Sequence, residues 1–216
     1  MSFLVVANFK SNLTQNEVKS WLKAIKPTQN MVVAPSFPHL SLFTHHVLAA
    51  QDVSPFPLCS YTGAINASQL KELGVTYCIV GHSERRRYFH ETASEIAGKI
   101  RELLAVGITP IICMEEDDIT PQFATLDEAY YSQCLYCFEP SKEIGGTVTA
   151  SLDVIKRIQT RIHHFYPEAR FIYGGSVTPD NILGLLSLNL SGVLVASASL
   201  DPHSYLKIIR KVSHAL

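Results

Sequence analysis

Tyr77-Cys78-Ile79-Val80-Gly81-His82-Ser83-Glu84-Arg85-Arg86 sets an apolar run directly against a glycine and then against a histidine, a serine and a glutamate. A buried strand ends where Gly81 stands, and polar groups collect at its carboxyl end. In parallel α/β proteins that end of the strand faces the ligand. Taken alone, the stretch equally describes a surface turn in which Ser83 caps the following helix. The rest of the chain decides between the two.

Strand-like and helix-like segments alternate on both sides of this stretch. Upstream, Phe3 to Ala7, Met31 to Ala34 and Val47 to Ala50 are short buried-strand runs. Thr14-Gln15-Asn16-Glu17 forms a capping box, because the Thr hydroxyl and the Glu carboxylate can each satisfy a free backbone N–H. Val18, Trp21, Leu22 and Ile25 then recur at helical spacing, and a short amphipathic piece is expected from Leu42 to His46. Leu70 and Leu73 mark a short helix before the strand Tyr77 to Val80. Downstream the pattern predicts a helix from Ser94 to Val106 stopped by Gly107, and a strand from Thr109 to Cys113. A weak helix around Leu126 to Tyr131 and a strand ending in Phe138-Glu139-Pro140 follow. The chain closes with a helix from Ser151 to Phe165, a strand at Phe171 to Tyr173, a helix started by Pro179, a strand from Gly192 to Ala196 and a helix from Pro202 to Ser213.

Eight Val/Ile/Leu-rich strands separated by helical or loop material predict the α/β class, with a parallel sheet covered by helices. Such connections are right-handed, and eight of them close into a (β/α)8 barrel. We expect one catalytic barrel domain over residues 1–216, compact for this architecture, with a shortened fifth βα unit between Cys113 and Cys134. An open doubly wound sheet would carry a Gly-x-Gly-x-x-Gly turn after its first strand, and Asn8-Phe9-Lys10-Ser11 is not one. Gln51 to Gly63, with Pro55 and Pro57 and no helical period, reads as a long ordered loop, which in compact domains signals function.

The formal net charge of −1, from 18 basic and 19 acidic side chains, gives no global field for nucleic acid or an anionic membrane. No apolar run approaches the roughly 20 residues that span a bilayer. The start of the chain has no secretory leader pattern, so a cytoplasmic location is expected. The odd number of cysteines, five, suits a reducing compartment. Cys134-x-x-Cys137 lies in an apolar run with no second pair to complete a zinc site, which reads as buried strand. Glu115-Glu116-Asp117-Asp118 reads as a solvated loop.

In a barrel every βα turn faces one mouth, so Asn8, Lys10, His82, Glu139, Ser176 and Ser197 converge there. Together they offer a base, an electrophile, a cation and phosphate donors. No shared structural reason places a lysine, a histidine and a glutamate at three turns of one mouth.

These residues, in their contexts, resemble the triosephosphate isomerase family along essentially the whole chain. The resemblance is carried by Ala7-Asn8-Phe9-Lys10, Tyr61-Thr62-Gly63, Leu73-Gly74-Val75-Thr76, Val80 to Arg86, Phe138-Glu139-Pro140 with Ile144-Gly145, and Tyr173-Gly174-Gly175-Ser176-Val177. It implies a TIM barrel that interconverts dihydroxyacetone phosphate and glyceraldehyde 3-phosphate in glycolysis and gluconeogenesis, with no cofactor and no metal. Glu139 is then the base and His82 a neutral proton donor, a pairing carried over from the family's known chemistry. Lys10 would stabilise negative charge and Asn8 would add a hydrogen bond. Backbone N–H groups at Gly145, near Ser176 and around Ala196 and Ser197 would hold the phosphate. Glu84 would hold Lys10 or its turn, and Arg85 and Glu91 would be supports. Pro140 to Thr147 would be the lid. The Gln51 to Gly63 loop would make a homodimer, or the tetramer of short archaeal-type members, with Thr62 near the partner's site.

The chain departs from the family at Ala64, where Glu is common, and at Glu115, where Gly is usual. Ala196-Ser197 replaces Gly-Gly, Ser141-Lys142-Glu143 replaces Val-Trp-Ala, and Gly146-Thr147 replaces Thr-Gly. The lid and the last phosphate turn look archaeal-type, and weakened phosphate binding is expected before lost chemistry. Two other readings stay open at this point. One is a different phosphate-binding barrel enzyme, such as a sugar-phosphate epimerase; the other is a catalytically impaired paralogue retained as an interaction or assembly module.

Overall fold

The structure, a computed structural model, describes residues 3–140 and 149–215. Eight parallel strands close into a barrel in sequence order. They are β1 (Leu4–Asn8), β2 (Met31–Ala34), β3 (Val47–Ala50), β4 (Val75–Val80), β5 (Thr109–Met114), β6 (Leu135–Phe138), β7 (Arg170–Tyr173) and β8 (Gly192–Val195). Closure is made by β1 pairing with both β2 and β8, with Val6 in register with Val32 on one side and Leu194 on the other.

The period of two along each strand divides the core. Val6, Val32, Ala49, Ile79, Ile111, Cys113, Leu135, Cys137, Ile172 and Leu194 fill the barrel interior. Their neighbours, among them Val5, Ala7, Val33, Val80, Ile112 and Tyr136, face outward against the helices. This parity has a functional consequence. Asn8, two residues beyond Val6, and Glu139, two beyond Cys137, fall on the inward side at the carboxyl ends of their strands.

The outer layer is α1 (Gln15–Ala24), α2 (Ala67–Glu72), α3 (Ser83–Phe89), α4 (Ala93–Ala105), α5 (Ile119–Thr125), α6 (Leu152–Phe165), α7 (Ile182–Leu186), α8 (Ser197–Leu200) and α9 (Pro202–Ala215). The Thr14/Glu17 capping box opens α1 as the sequence implied. Two buried polar bonds seal the seam between the chain's ends: Trp21 Nε1 donates to Ser199 O at 2.9 Å, and Tyr205 Oη donates to Val5 O at 2.7 Å.

The local expectations need three corrections. The fifth βα unit carries its α-helix at Ile119–Thr125, and the stretch around Leu126 to Tyr131 belongs to a 3₁₀ helix, Glu128–Gln133, whose start Asp127 caps by accepting from Ala129 N. Pro121 lies in the first turn of α5, where a missing N–H costs nothing. The piece near Leu42 is a 3₁₀ helix over Phe37–Leu42 that ends before His46. Pro179 precedes α7 by more than its cap, in a turn where Asn181 Oδ1 accepts from Thr178 N.

Candidate active site

The site starts from β1. Lys10 follows the strand in the left-handed region, φ 49°, a costly conformation for a residue with a side chain. Two neighbours hold it there. Asn8 Oδ1 accepts from Lys10 N at 3.1 Å, and Gln51 Nε2, at the end of β3, donates to Lys10 O at 3.0 Å and to Ala34 O at 2.8 Å. The lysine side chain is thereby aimed at Glu84, whose Oε1 accepts from Nζ at 2.7 Å.

Gly81 turns the chain out of β4 at φ 67° and leaves His82 as the N-cap of α3. The cap is therefore the histidine, and the reading of Ser83 as the cap is corrected. Glu84 N donates to His82 Nδ1 at 3.2 Å. With Nδ1 an acceptor, the proton of a neutral ring resides on Nε2. That nitrogen stands 3.3 Å from Glu139 Oε1. His82 and Glu139 are both buried, 5% and 1% exposed, so their contact is shielded from bulk water.

Glu139 fits because a glycine follows β7. A Cβ at Gly174 would lie 2.9 Å from Glu139 Cγ and 3.0 Å from Cys137 Sγ. Any larger residue at Gly174 displaces the carboxylate. Glu139 Oε2 is buried with no partner among the described residues.

Lys10, His82, Glu84 and Glu139 line a cavity of ≈ 230 Å³ together with Gly174, Ser176, Val177, Thr178, Leu194, Ala196, Ser197 and Ala198. Ser176 is also left-handed, φ 42°. Its carbonyl accepts from Asn181 Nδ2 at 2.8 Å and from Thr149 Oγ1 at 3.3 Å, which braces the turn. The cavity thus brings acid, base and cation together with the turns after β7 and β8.

Behind α3 lies a buried ion network. Arg85 pairs with Asp52 at 2.7 Å and with Glu91, and Lys99 pairs with Asp52 at 2.6 Å and with Glu91. Burial pushes the Asp52 carboxyl above its ordinary range, an effect Lys99 opposes. Arg86 is a second internal brace, donating to Gly81 O at 2.8 Å and to Gln122 Oε1 at 3.0 Å.

Of the residues expected at the site, Lys10, His82, Glu139, Glu84, Ser176, Ala196 and Ser197 share the cavity. Asn8 is buried behind it and lines a neighbouring groove of ≈ 310 Å³ with Ser36, Phe37, Pro38, Gln51 and Phe89. Arg85 and Glu91 sit in the ion network. Thr62 is exposed at the loop tip and lines neither cavity. Gly145 and most of the expected lid, residues 141–147, lie outside the described residues. The sequence reading missed Gln51, Asp52, Lys99, Thr178 and Asn181. Lys99 had left a signal: it falls on the buried face of α4 with Ile96 and Leu103, where a lysine needs partners. The acidic run is not purely solvated, since Asp118 Oδ2 accepts from Glu115 N at 3.0 Å and Glu116 pairs with Arg157.

Residues 3–212 match the family model described as triosephosphate isomerase. The chain is 36% identical to the triosephosphate isomerase of Wolbachia sp. subsp. Brugia malayi over the full length of both. It is 35% identical to that of Thermus thermophilus, covering 96% of this chain and 97% of that one. With that of Polynucleobacter asymbioticus it shares 34% identity over 95% of this chain and 97% of the relative.

Proposed function

The chain belongs to the triosephosphate isomerase family, and on that premise we propose that Glu139, His82 and Lys10 carry the proton transfers of its reaction. The protein is an isomerase that interconverts dihydroxyacetone phosphate and glyceraldehyde 3-phosphate. The observation that carries the assignment of roles is the continuous run Lys10, Glu84, His82, Glu139 in the cavity lining, closed by the 3.3 Å contact of His82 Nε2 with Glu139 Oε1.

A triose entering this cavity places its carbonyl and hydroxyl oxygens where they meet His82 Nε2–H. Its reacting carbon faces the carboxylate of Glu139. Glu139 removes the proton next to the carbonyl, a step worth about 10²–10⁴-fold as positioned base catalysis. Negative charge then grows on the oxygen that His82 contacts, and the Nε2 proton is the one available to it. Lys10 Nζ, held by Glu84, stabilises the enediolate and the phosphate together. The turns at Ser176 and at Ala196-Ser197 hold the phosphate through backbone N–H groups. The methyl group of Ala196 narrows that cradle, so phosphate affinity bears the cost of the departure from Gly-Gly.

The active unit is one barrel domain assembled as a homodimer. Phe56, Leu58 and Tyr61 on the long loop are 50%, 70% and 44% exposed, and Phe56 and Tyr61 stack at 4.8 Å. An apolar tip of that kind suits the groove beside Lys10 on a second copy. Sedimentation of the protein and of Leu58→Lys tests this, with a dimer or tetramer expected for the first and dissociation for the second. No helix among the described residues is long and apolar enough to cross a membrane. Five free cysteines suit a cytoplasmic site of action.

The roles are tested by steady-state kinetics of Lys10→Met in both directions. Loss of kcat with a raised KM for both triose phosphates is expected, and unchanged kinetics contradict the assignment.

A further inference from the structure

Beneath the carboxylate of Glu139 the barrel floor holds two thiols that the reaction does not use. Cys113 of β5 and Cys137 of β6 are register partners, both on the inward face and both fully buried. Both sulfurs and a carboxylate oxygen lie within 4.8 Å of one another. Tetrahedral coordination with metal–sulfur bonds of about 2.3 Å sets ligand atoms about 3.8 Å apart. Small side-chain rotations therefore bring these three atoms to bonding distance of one ion. Glu139 Oε2, buried and without a hydrogen-bond partner among the described residues, supplies a lone pair for the ion.

We propose that Cys113, Cys137 and Glu139 form a three-ligand site for a borderline-soft divalent cation, Zn²⁺ or Cd²⁺, and that its occupancy shuts the enzyme off. Two thiolates select such ions over Mg²⁺ or Ca²⁺. On binding, each thiol gives its proton to solvent, two M–S bonds and one M–O bond form, and no electron changes hands. His82 does not supply the fourth ligand, since its Nδ1 is engaged with Glu84 N and its Nε2 carries the proton. Inhibition rests on the role assigned to Glu139 above, because the ion takes the lone pair that the base needs.

The test is a Cd²⁺ titration under a phosphine reductant of the wild type, Cys137→Ala, Cys137→Ser and Cys59→Ala. The thiolate-to-cadmium ultraviolet band is read alongside each protein's activity with cadmium relative to its own activity without it. The wild type and Cys59→Ala are expected to show a two-thiolate band and to lose activity, recovered with a chelator. Both Cys137 variants are expected to bind tenfold or more weakly, a loss of about the size seen when metal-site partners are removed. An equal band in the Cys137 variants, or a wild type unchanged in spectrum and rate, overturns the site. A two-thiolate band with undiminished activity upholds the site and contradicts Glu139 as the base.

Discussion

Glu84 N donates to His82 Nδ1 at 3.2 Å while Glu84 Oε1 accepts from Lys10 Nζ at 2.7 Å, so one residue sets the tautomer of the histidine and the direction of the lysine. The proton donor and the cation of the site are thus fixed from the first turn of a single helix. Around them stand Gln51 after β3, Gly174 after β7 and Lys99 on α4.

Gln51→Leu removes two hydrogen bonds, one to Lys10 O in the turn that keeps Lys10 at φ 49° and one to Ala34 O. Ala34 O keeps Phe9 N as a donor, while Lys10 O is left unpaired, which costs about 1–3 kcal/mol of stability. KM for either triose phosphate is expected to rise several-fold as Lys10 loses its aim, and kcat to fall. Unchanged KM and stability would show that Asn8 alone holds the turn.

Gly174→Ala presses a methyl group against Glu139 Cγ and Cys137 Sγ. A displacement of the carboxylate by an ångström costs about 10²-fold in rate, so kcat is expected to fall by that order. Gly184→Ala is the control, because nothing lies within 4 Å of its Cβ and it sits on α7. Equal kcat values for the two variants would contradict the close-approach argument.

The Lys99 side chain, 5% exposed, closes the network of Asp52, Arg85 and Glu91. Lys99→Met leaves two buried carboxylates short of a partner, and urea unfolding is expected to show a loss of about 3–5 kcal/mol. A change within about 0.5 kcal/mol would place Lys99 among ordinary surface residues.

His46 packs edge-on to Phe43 with centroids 5.4 Å apart, and neither ring nitrogen has a partner among the described residues. Burial, aided by His45, holds its pKa below the ordinary value. A depressed folded pKa means that the neutral ring's contribution is present in full above the unfolded value, about pH 6.5, and is lost as pH falls through the folded value. Thermal melts at about pH 7.5 and about pH 5.5 should show a smaller acid loss for His46→Phe than for the wild type. Parallel losses would contradict it.

The barrel was legible because its strands are short Val/Ile/Leu runs broken by glycine and proline, a pattern that local sterics and burial produce at each of eight places. The fifth unit was misplaced because Pro121 hides a helix start and the 3₁₀ segment Glu128–Gln133 lacks a 3.6 period. Lys10, His82 and Glu139 could be named because each ends a strand. The supports Gln51, Asp52 and Asn181 could not, since their roles exist only through contacts across 41, 33 and 32 residues of chain, to Lys10, Arg85 and Thr149 respectively. The same holds for Cys113 and Cys137, which the spacing 134-x-x-137 drew attention away from: the partner of Cys137 is on the neighbouring strand, at Cys113.

The central claim is that Glu139 is the base. Steady-state turnover of glyceraldehyde 3-phosphate by the wild type beside Glu139→Asp tests it most directly, because shortening the side chain by one methylene withdraws the carboxylate and leaves its charge. The account predicts measurable wild-type turnover, a kcat lowered by about 10²-fold or more in the variant, and little change in KM. A folded wild type without turnover, or a variant with wild-type kcat, would contradict it.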